Sequence, residues 1–244
     1  MVKLWLVAAL ALTVASCAPR GDDREGSRAA ASNGSAAAPE VTATPAATLP
    51  KAATAARPRI AVLGDSLTAG LGVATAASFP SLLQDKLDAA GFDFEVVNAG
   101  VSGDTSAGGL ARLDWALDGD VRVLIVALGG NDGLRGLPAS ELQANLAQII
   151  ERAQARGITV ILTGMEAPPN YGRDYIVAFH MVYPALATKY RVALVPFLLQ
   201  GVAGDETLNQ RDGIHPTTAG ARIVADNVWA VLEPIAEARR RPTT

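Results

Sequence analysis

Three side chains that could together produce an activated serine stand in two short polar segments. Ser66 lies in Gly-Asp-Ser-Leu-Thr at 64–68, and Asp212 and His215 lie in Asp-Gly-Ile-His-Pro at 212–216. A serine hydroxyl becomes a strong nucleophile when a neighbouring base takes its proton. A carboxylate three residues before the histidine can fix the imidazole tautomer and stabilise its protonated form. The spacing therefore predicts a catalytic triad of Ser66, His215 and Asp212.

Such a serine also needs hydrogen-bond donors for the negatively charged oxygen that its attack creates. Gly103, in Ser-Gly-Asp at 102–104, carries no side chain, so its N–H can approach a substrate closely. Asn131, in Gly-Gly-Asn-Asp at 129–132, offers a side-chain amide. The backbone N–H of Ser66 is the third candidate. We expect these three donors to form an oxyanion hole.

The other polar residues near these segments have simpler interpretations. The second histidine, His180, lies among aromatic residues in an apparent helix and is expected to be partly buried and satisfied. Asp65 is expected to bond the backbone of its turn, and Asp132 to hold its loop in shape. No histidine stands beside Asp104 or Asp132, so neither a metal nor any other cofactor is expected.

Short apolar runs that end in Gly or small polar residues predict buried strands, and segments of helical periodicity separate them. Alternating strands and helices favour an α/β fold, a three-layer α/β/α sandwich around a parallel sheet of about five strands. The predicted strands are Arg59–Asp65, Phe94–Asn98, Val121–Leu128, Ile158–Leu162 and Val192–Phe197.

The clearest helical patterns run over Pro80–Ala90 and Ala219–Glu237. A third contains Leu142, with Ser140 as its predicted N-cap and Gly157 as its stop. In open parallel sheets, sites form at the carboxyl ends of the strands. The segments with Ser66, Gly103 and Asn131 each follow a predicted strand, so the fold should bring them to one edge.

These segments resemble the four conserved blocks of the SGNH (GDSL) hydrolase family, in the family's order, and the resemblance spans Ile60 to about Ile235. It implies the flavodoxin-like fold of that family and an esterase without a cofactor. Ser66 would be the nucleophile, Gly103 and Asn131 oxyanion donors, and Asp212 and His215 the rest of the triad. The matching blocks are Gly-Asp-Ser-Leu at 64–67, Gly103, Gly-Asn-Asp at 130–132 and Asp-Gly-Ile-His-Pro at 212–216.

Within that family, residues 164–172 are similar to a stretch of the small TesA-like group of arylesterases, thioesterases and lysophospholipases. The resemblance implies small-molecule or lipid esters as substrates: aryl and short- to medium-chain acyl esters, thioesters or lysophospholipids. Leu134 and Leu137 follow Asn131 and are predicted to form an apolar wall for the acyl chain. Two other functions stay open: a periplasmic glycan O-acetylesterase or acetyltransferase, and a non-catalytic envelope-binding lipoprotein.

The N-terminal segment predicts export. Lys3 precedes an apolar run at 4–14, which is too short to span a bilayer but suits a signal peptide. The run ends in Val-Ala-Ser-Cys, which resembles the lipobox of bacterial lipoproteins. We therefore expect a signal peptide at 1–16, lipidation of Cys17, and anchoring in the cell envelope on the periplasmic side. The alternative is an ordinary secreted protein in which Cys17 has no role. Because Ala18 rather than Asp follows the cysteine, the outer membrane is favoured over the inner.

Residues 17–57 are rich in Ala, Ser, Thr and Pro and predict a flexible linker, because they could bury little apolar surface. Residues 58–240 are left for one hydrolase domain, which suits the chain length of 244 residues. The net charge of −3 and the scattered Lys and Arg residues argue against a nucleic-acid partner. The single cysteine excludes an intramolecular disulfide framework. We expect a monomer.

Overall fold

The computed structural model describes residues 57–239. The predicted signal peptide, Cys17 and the predicted linker as far as Ala56 lie outside these residues, as do residues 240–244. The strands of the described part are β1 (Arg59–Gly64), β2 (Glu95–Gly100), β3 (Val121–Ala127), β4 (Thr159–Thr163) and β5 (Ala193–Val195). Its α-helices are α1 (Ser66–Ala69), α2 (Phe79–Ala89), α3 (Ser106–Ala111), α4 (Leu113–Ala116), α5 (Gly130–Leu134), α6 (Ala139–Ala155), α7 (Arg173–Tyr190) and α8 (Thr218–Ala238).

The five strands form one sheet in the order β2-β1-β3-β4-β5, and every neighbouring pair is parallel. The predicted α/β fold with a five-stranded parallel sheet is therefore confirmed. In this flavodoxin-like order the sheet grows in one direction from β1 to β2 and in the other from β1 to β3. A crevice opens at such a reversal, beyond the carboxyl ends of the strands, so the ends of β1 and β3 should border the site.

Two groups of helices cover the two faces of the sheet. Connections between parallel strands are almost always right-handed, so the helix between β1 and β2 lies on the face opposite to the helices that connect β2 to β3, β3 to β4 and β4 to β5. The packing agrees, because α2 lies against α8 while α6 lies against α3 and α7. Within residues 57–239, no helix combines the length and apolar character needed to cross a bilayer.

The central strands are apolar almost throughout because helices cover both of their faces. Every residue of β1 after Arg59 is buried, and in β3 only Arg122 is exposed. In β4 the side chains from Val160 to Thr163 are buried as well. These strands form a close-packed base, so the loops that follow β1 and β3 start from fixed positions.

The predicted N-cap of the third helix was wrong. The helix α6 begins at Ala139, so Ser140 lies inside its first turn. The carbonyl of Pro138 accepts from the N–H groups of Glu141 and Leu142 at 3.0 and 3.2 Å. Pro138 is thus the N-cap residue, and the start of α6 has no side-chain cap. The helices α1, α3, α4 and α5 were not predicted, because four to six residues are too few to show helical periodicity.

Two glycines let α1 lie directly on the ends of β1 and β2. A Cβ atom at Gly64 would stand 1.9 Å from Oγ1 of Thr68, and one at Gly100 would stand 2.3 Å from the backbone N of Ala69. Both distances are far shorter than any real contact. The close approach is therefore possible only without side chains, and it fixes the turn that carries Ser66.

Candidate active site

Ser66 is the first residue of α1, straight after β1. The preceding Asp65 caps this short helix, because its Oδ1 accepts from the N–H of Leu67 at 3.0 Å. The expectation that Asp65 bonds its own turn thus agrees with the structure. Ser66 is 9 % exposed, and its side chain lines a surface cleft. The strand, the cap and the turn together hold the hydroxyl at the edge of the sheet.

The loop before α8 brings His215 and Asp212 together. Nδ1 of His215 lies 2.7 Å from Oδ2 of Asp212. The other oxygen of Asp212 accepts from the N–H groups of Ile214 and His215 at 3.0 and 3.1 Å. The carbonyl of His215 in turn accepts from the N–H of Gln210 at 2.7 Å, which closes the loop on itself. The carboxylate therefore fixes both the backbone of the loop and the plane of the imidazole.

These hydrogen bonds keep Asp212 ionised. The hydrogen bond from the His215 side chain, followed by those from the backbone N–H groups of His215 and Ile214, lowers its pKa to about 2. The contribution of this pairing to stability is complete above the ordinary pKa of an aspartate and disappears as the pH falls through about 2. At neutral pH the carboxylate accepts from Nδ1–H, which leaves Nε2 of His215 as a proton acceptor.

Nε2 of His215 lies 2.9 Å from Oγ of Ser66. In the tautomer that Asp212 selects, the serine hydroxyl donates to the imidazole, and the proton can move along that bond. The structure thus brings together the three side chains that the sequence predicted as a triad. Their arrangement is that of a nucleophile, a base and a group that orients the base.

Two of the predicted oxyanion donors lie in the segments that follow β2 and β3. Gly103 has φ 86°, a conformation that favours glycine, and its carbonyl accepts from Nη2 of Arg135 at 2.8 Å. Its N–H has no acceptor within residues 57–239. Asn131 is the second residue of α5, and its Nδ2 donates to Oδ2 of Asp65 at 3.3 Å. One hydrogen of that amide is used, and the other is available to a substrate.

Arg112 supports this edge of the sheet and was missed by the sequence analysis. Its guanidinium donates to the carbonyl oxygens of Gly64 and Ala99, both at 2.7 Å, and Nε donates to Asp104 at 2.5 Å. Its side chain is 18 % exposed. The planar guanidinium therefore ties the end of β1 to the end of β2 and to the residue that follows Gly103.

Aromatic residues of α7 support the segment around α5. The hydroxyl of Tyr183 donates to the carbonyl of Leu128 at 3.1 Å, and that of Tyr175 donates to the carbonyl of Leu137 at 2.8 Å. Asp132 accepts from the N–H and the hydroxyl of Ser106 at 2.8 and 2.5 Å, so its carboxylate joins α5 to the start of α3 and does not bond within its own segment as expected. Rings at four-residue spacing pack in a row, with centroids 5.4, 5.9 and 6.0 Å apart, through Tyr171, Tyr175, Phe179 and Tyr183.

A cleft of about 360 Å³ opens beside Ser66 and His215. Leu134, one of the two predicted wall residues, lines it and is 44 % exposed. Leu137 does not line it, because its backbone bonds Asp132 and Tyr175 and turns the chain towards α6. The other apolar side chains on the wall are Leu67, Met165, Ala167, Pro168, Pro169, Phe197, Leu199, Ala203 and Ile214.

His180 is satisfied, as expected, but it is exposed rather than partly buried. Its side chain is 53 % exposed, and Nδ1 lies 2.7 Å from Oε1 of Glu166. The expectation of burial was wrong because Phe179 and Tyr183 turn their rings into the core, while the side chain of His180 lies at the solvent-facing side of α7. No group of three or more His, Cys, Asp or Glu side chains in residues 57–239 has the arrangement of a metal site.

Replacing Asp212 by asparagine should remove the negative charge beside His215 while the shape of the loop is retained. In Asp212→Asn the amide oxygen can still accept from the loop N–H groups, but the amide no longer selects the Nδ1–H tautomer of His215. We expect kcat for a p-nitrophenyl ester to fall ~10³–10⁴-fold. The thermal midpoint is the control for folding, and Asp205→Asn, on an exposed turn, is the matched variant. A kcat within tenfold of the wild type would contradict the role of the charge.

The chain is similar to known esterases over most of its described part. It is 49 % identical over 182 residues to the esterase TesA of Pseudomonas aeruginosa, covering 74 % of this chain and 90 % of that protein. It is 40 % identical over 182 residues to thioesterase 1/protease 1/lysophospholipase L1 of Escherichia coli K12, covering 74 % of this chain and 86 % of that protein.

A crystal structure of TesA superposes on the fold with a TM-score of 0.70 and 48 % sequence identity, covering 72 % of this chain and 99 % of that one. The model of the GDSL-like lipase/acylhydrolase family matches residues 62–223, which include all five predicted catalytic and oxyanion residues. The chain therefore belongs to the GDSL-like lipase/acylhydrolase family and is a carboxylic ester hydrolase.

Proposed function

We propose that Ser66, His215 and Asp212 hydrolyse carboxylic esters through an acyl-enzyme. The observation that carries this proposal is the continuous chain of hydrogen bonds from Oγ of Ser66 to His215, 2.9 Å, and from His215 to Asp212, 2.7 Å. A base that accepts from a serine and donates to an ionised carboxylate is the arrangement that activates a hydroxyl.

In the first step Oγ of Ser66 attacks the ester carbonyl carbon as its proton passes to Nε2 of His215. The carbonyl oxygen becomes an oxyanion, and the N–H groups of Ser66 and Gly103 and the amide of Asn131 donate to it. As the tetrahedral intermediate collapses, His215 returns the proton to the leaving alcohol, and the acyl group stays on Ser66. Water then attacks the acyl-enzyme with His215 as base, which releases the acid and restores the hydroxyl.

The cleft suits an apolar acyl chain of modest length. Its volume of about 360 Å³ lies at the small end of the range for small-molecule sites, and its wall is largely apolar. The names of the relatives, an esterase and a thioesterase/lysophospholipase, support the same class. We propose aryl and short- to medium-chain acyl esters as substrates, with thioesters and lysophospholipids as further members.

The wall gives less support to a carbohydrate ester. Sugar rings commonly stack on aromatic side chains, but among the described residues that line the cleft, Phe197 is the sole phenyl ring and none is Trp or Tyr. We therefore do not favour a glycan O-acetylesterase or acetyltransferase. The complete hydrogen-bonded triad also argues against a non-catalytic envelope-binding protein.

The variant Ser66→Ala tests the proposed function directly. It removes the nucleophile but leaves the capped turn, so the fold should be retained while kcat for p-nitrophenyl butyrate falls by roughly 10⁴–10⁶. A fluorophosphonate probe should label the wild type at Ser66 alone, as mass spectrometry of the peptides would show. Labelling of another serine, or wild-type turnover in Ser66→Ala, would refute the proposal.

The acyl wall is tested by changing two leucines in parallel. Leu134→Gln places an amide against the acyl chain, so the preference in kcat/KM for p-nitrophenyl hexanoate over acetate should fall roughly tenfold. Leu137→Gln is the matched control, since Leu137 lies off the cleft, and its preference should stay within twofold of the wild type. Equal profiles for all three proteins would contradict the assignment of Leu134.

We also propose that a diacylglycerol on Cys17 anchors the enzyme to the cell envelope, facing the periplasm, with the outer membrane favoured. The lipobox-like sequence before Cys17 supports this location. In a Gram-negative cell, the wild type should sediment with the membranes, whereas Cys17→Ser should appear in the soluble fraction, because it lacks the thiol that carries the lipid. Esterase activity in each fraction measures the distribution, and a soluble wild type would overturn the anchor.

A further inference from the structure

Asp65 is a buried carboxylate that the triad does not use. It is 2 % exposed, and its two oxygens have different partners. Oδ1 accepts from the N–H of Leu67 at 3.0 Å, and Oδ2 accepts from the amide of Asn131 at 3.3 Å. The cap on α1 needs only one oxygen, which serine, threonine or asparagine would also supply. The capping role therefore does not explain why this buried group is an acid.

We propose that Asp65 is a positioning residue for ester hydrolysis, whose carboxylate holds the amide of Asn131 with its second N–H available to the substrate oxyanion. This inference rests on the proposed function, because it assigns Asp65 a role in the oxyanion hole of that reaction. Asp65 itself touches neither substrate nor reacting atoms, and it acts through Asn131.

The chemistry of the two side chains makes the contact directional. An ionised carboxylate accepts hydrogen bonds and cannot donate them, so only the NH₂ end of the Asn131 amide can face it. One N–H is bound to Oδ2, and the planar amide then fixes the direction of the other. Gly130 leaves space for this contact, because a Cβ atom there would stand 3.1 Å from Oδ2 of Asp65.

Ionisation of Asp65 lowers the free energy of unfolding, so stability does not explain why a carboxylate occupies this position. Burial raises the pKa of Asp65 to about 6, while hydrogen bonds from Leu67 and Asn131 and the charge of His215 act in the opposite direction. A raised carboxyl pKa gives stability that is complete below the ordinary value near 3.8 and is lost as the pH rises through about 6. At neutral pH the negative charge of Asp65 therefore lowers the free energy of unfolding.

Two titratable groups on other elements face this carboxylate. His215 comes from the loop before α8, and Tyr183 comes from α7. When Asp65 is protonated, one of its oxygens carries a hydrogen and becomes a weaker acceptor, so either the contact to Asn131 or the cap on Leu67 is weakened. The orientation of the Asn131 amide should therefore weaken as the pH falls below about 6.

The variant Asp65→Asn separates the two roles of the side chain. Its amide oxygen can still cap α1, but its NH₂ group meets the NH₂ group of Asn131. We expect kcat to fall ~10–100-fold with KM within about twofold, because a misplaced donor weakens the transition state and not the bound ester. The thermal midpoint at pH 7.5 should not fall, since a buried charge is removed.

A double-mutant cycle tests whether Asp65 acts through Asn131. In an Asn131→Ala background, Asp65→Asn should change kcat less than about twofold, because the amide that it holds is gone. The matched control is Asp205→Asn, since Oδ1 of Asp205 accepts from the N–H of Thr207 in the same i to i+2 pattern, on an exposed turn. Asp205→Asn should leave kcat unchanged in both backgrounds. An equal loss from Asp65→Asn in both backgrounds would overturn the proposal, as would unchanged kcat.

A second measurement covers the case in which Asp65→Asn does not fold. The ratio of kcat for the wild type to kcat for Asn131→Ala is followed from pH 5 to 8, so that pH effects common to both enzymes cancel. The ratio should fall several-fold below about pH 6, and a constant ratio would overturn the proposal. Fluorophosphonate labelling of Ser66 reports separately on the proposed function, so the two failures are distinguishable.

Discussion

The hydrogen bond between Ser66 and His215 joins residues that are 149 positions apart in the chain. No local preference can make such a contact, so every element that places either residue must be in position first. Ser66 depends on β1, which is buried in the centre of the sheet, and on the close approach of α1. His215 depends on the loop that Asp212 and Gln210 close. The parallel sheet therefore brings Ser66, after β1, and the loop that carries His215 to the same edge.

The proposed oxyanion donors depend on a second set of contacts, which tie neighbouring strand ends to one another. Arg112 donates to the carbonyl groups of Gly64 at the end of β1 and Ala99 near the end of β2, and Arg135 donates to the carbonyl of Gly103. Asp65 connects the turn after β1 to Asn131 after β3. Because preorganised donors need little rearrangement during the reaction, these contacts support the chemistry as directly as they support the fold.

The fold and the triad could be predicted from the sequence because both depend on which types of side chain stand at particular positions. Apolar runs mark the buried strands, and Ser66, Asp212 and His215 stand in short polar segments. The role of Arg112 could not be predicted in this way, because two of its three acceptors are backbone carbonyls, which every residue has. The wrong prediction of Ser140 as an N-cap has a similar cause, because the first N–H groups of α6 donate to the backbone carbonyl of Pro138 and not to a side chain.

The carboxylate of Asp65 lies beside the proposed oxyanion hole, where it would repel the negatively charged substrate oxygen. Two features of the site reduce this repulsion. In the proposed arrangement the Asn131 amide lies between Asp65 and the substrate oxyanion, so one N–H donates to the carboxylate and the other points to the oxyanion. The same attack that creates the oxyanion also protonates His215, and the field of Asp65 favours that positive charge. The negative charge therefore opposes one product of the proton transfer and stabilises the other, while the amide keeps its orientation throughout.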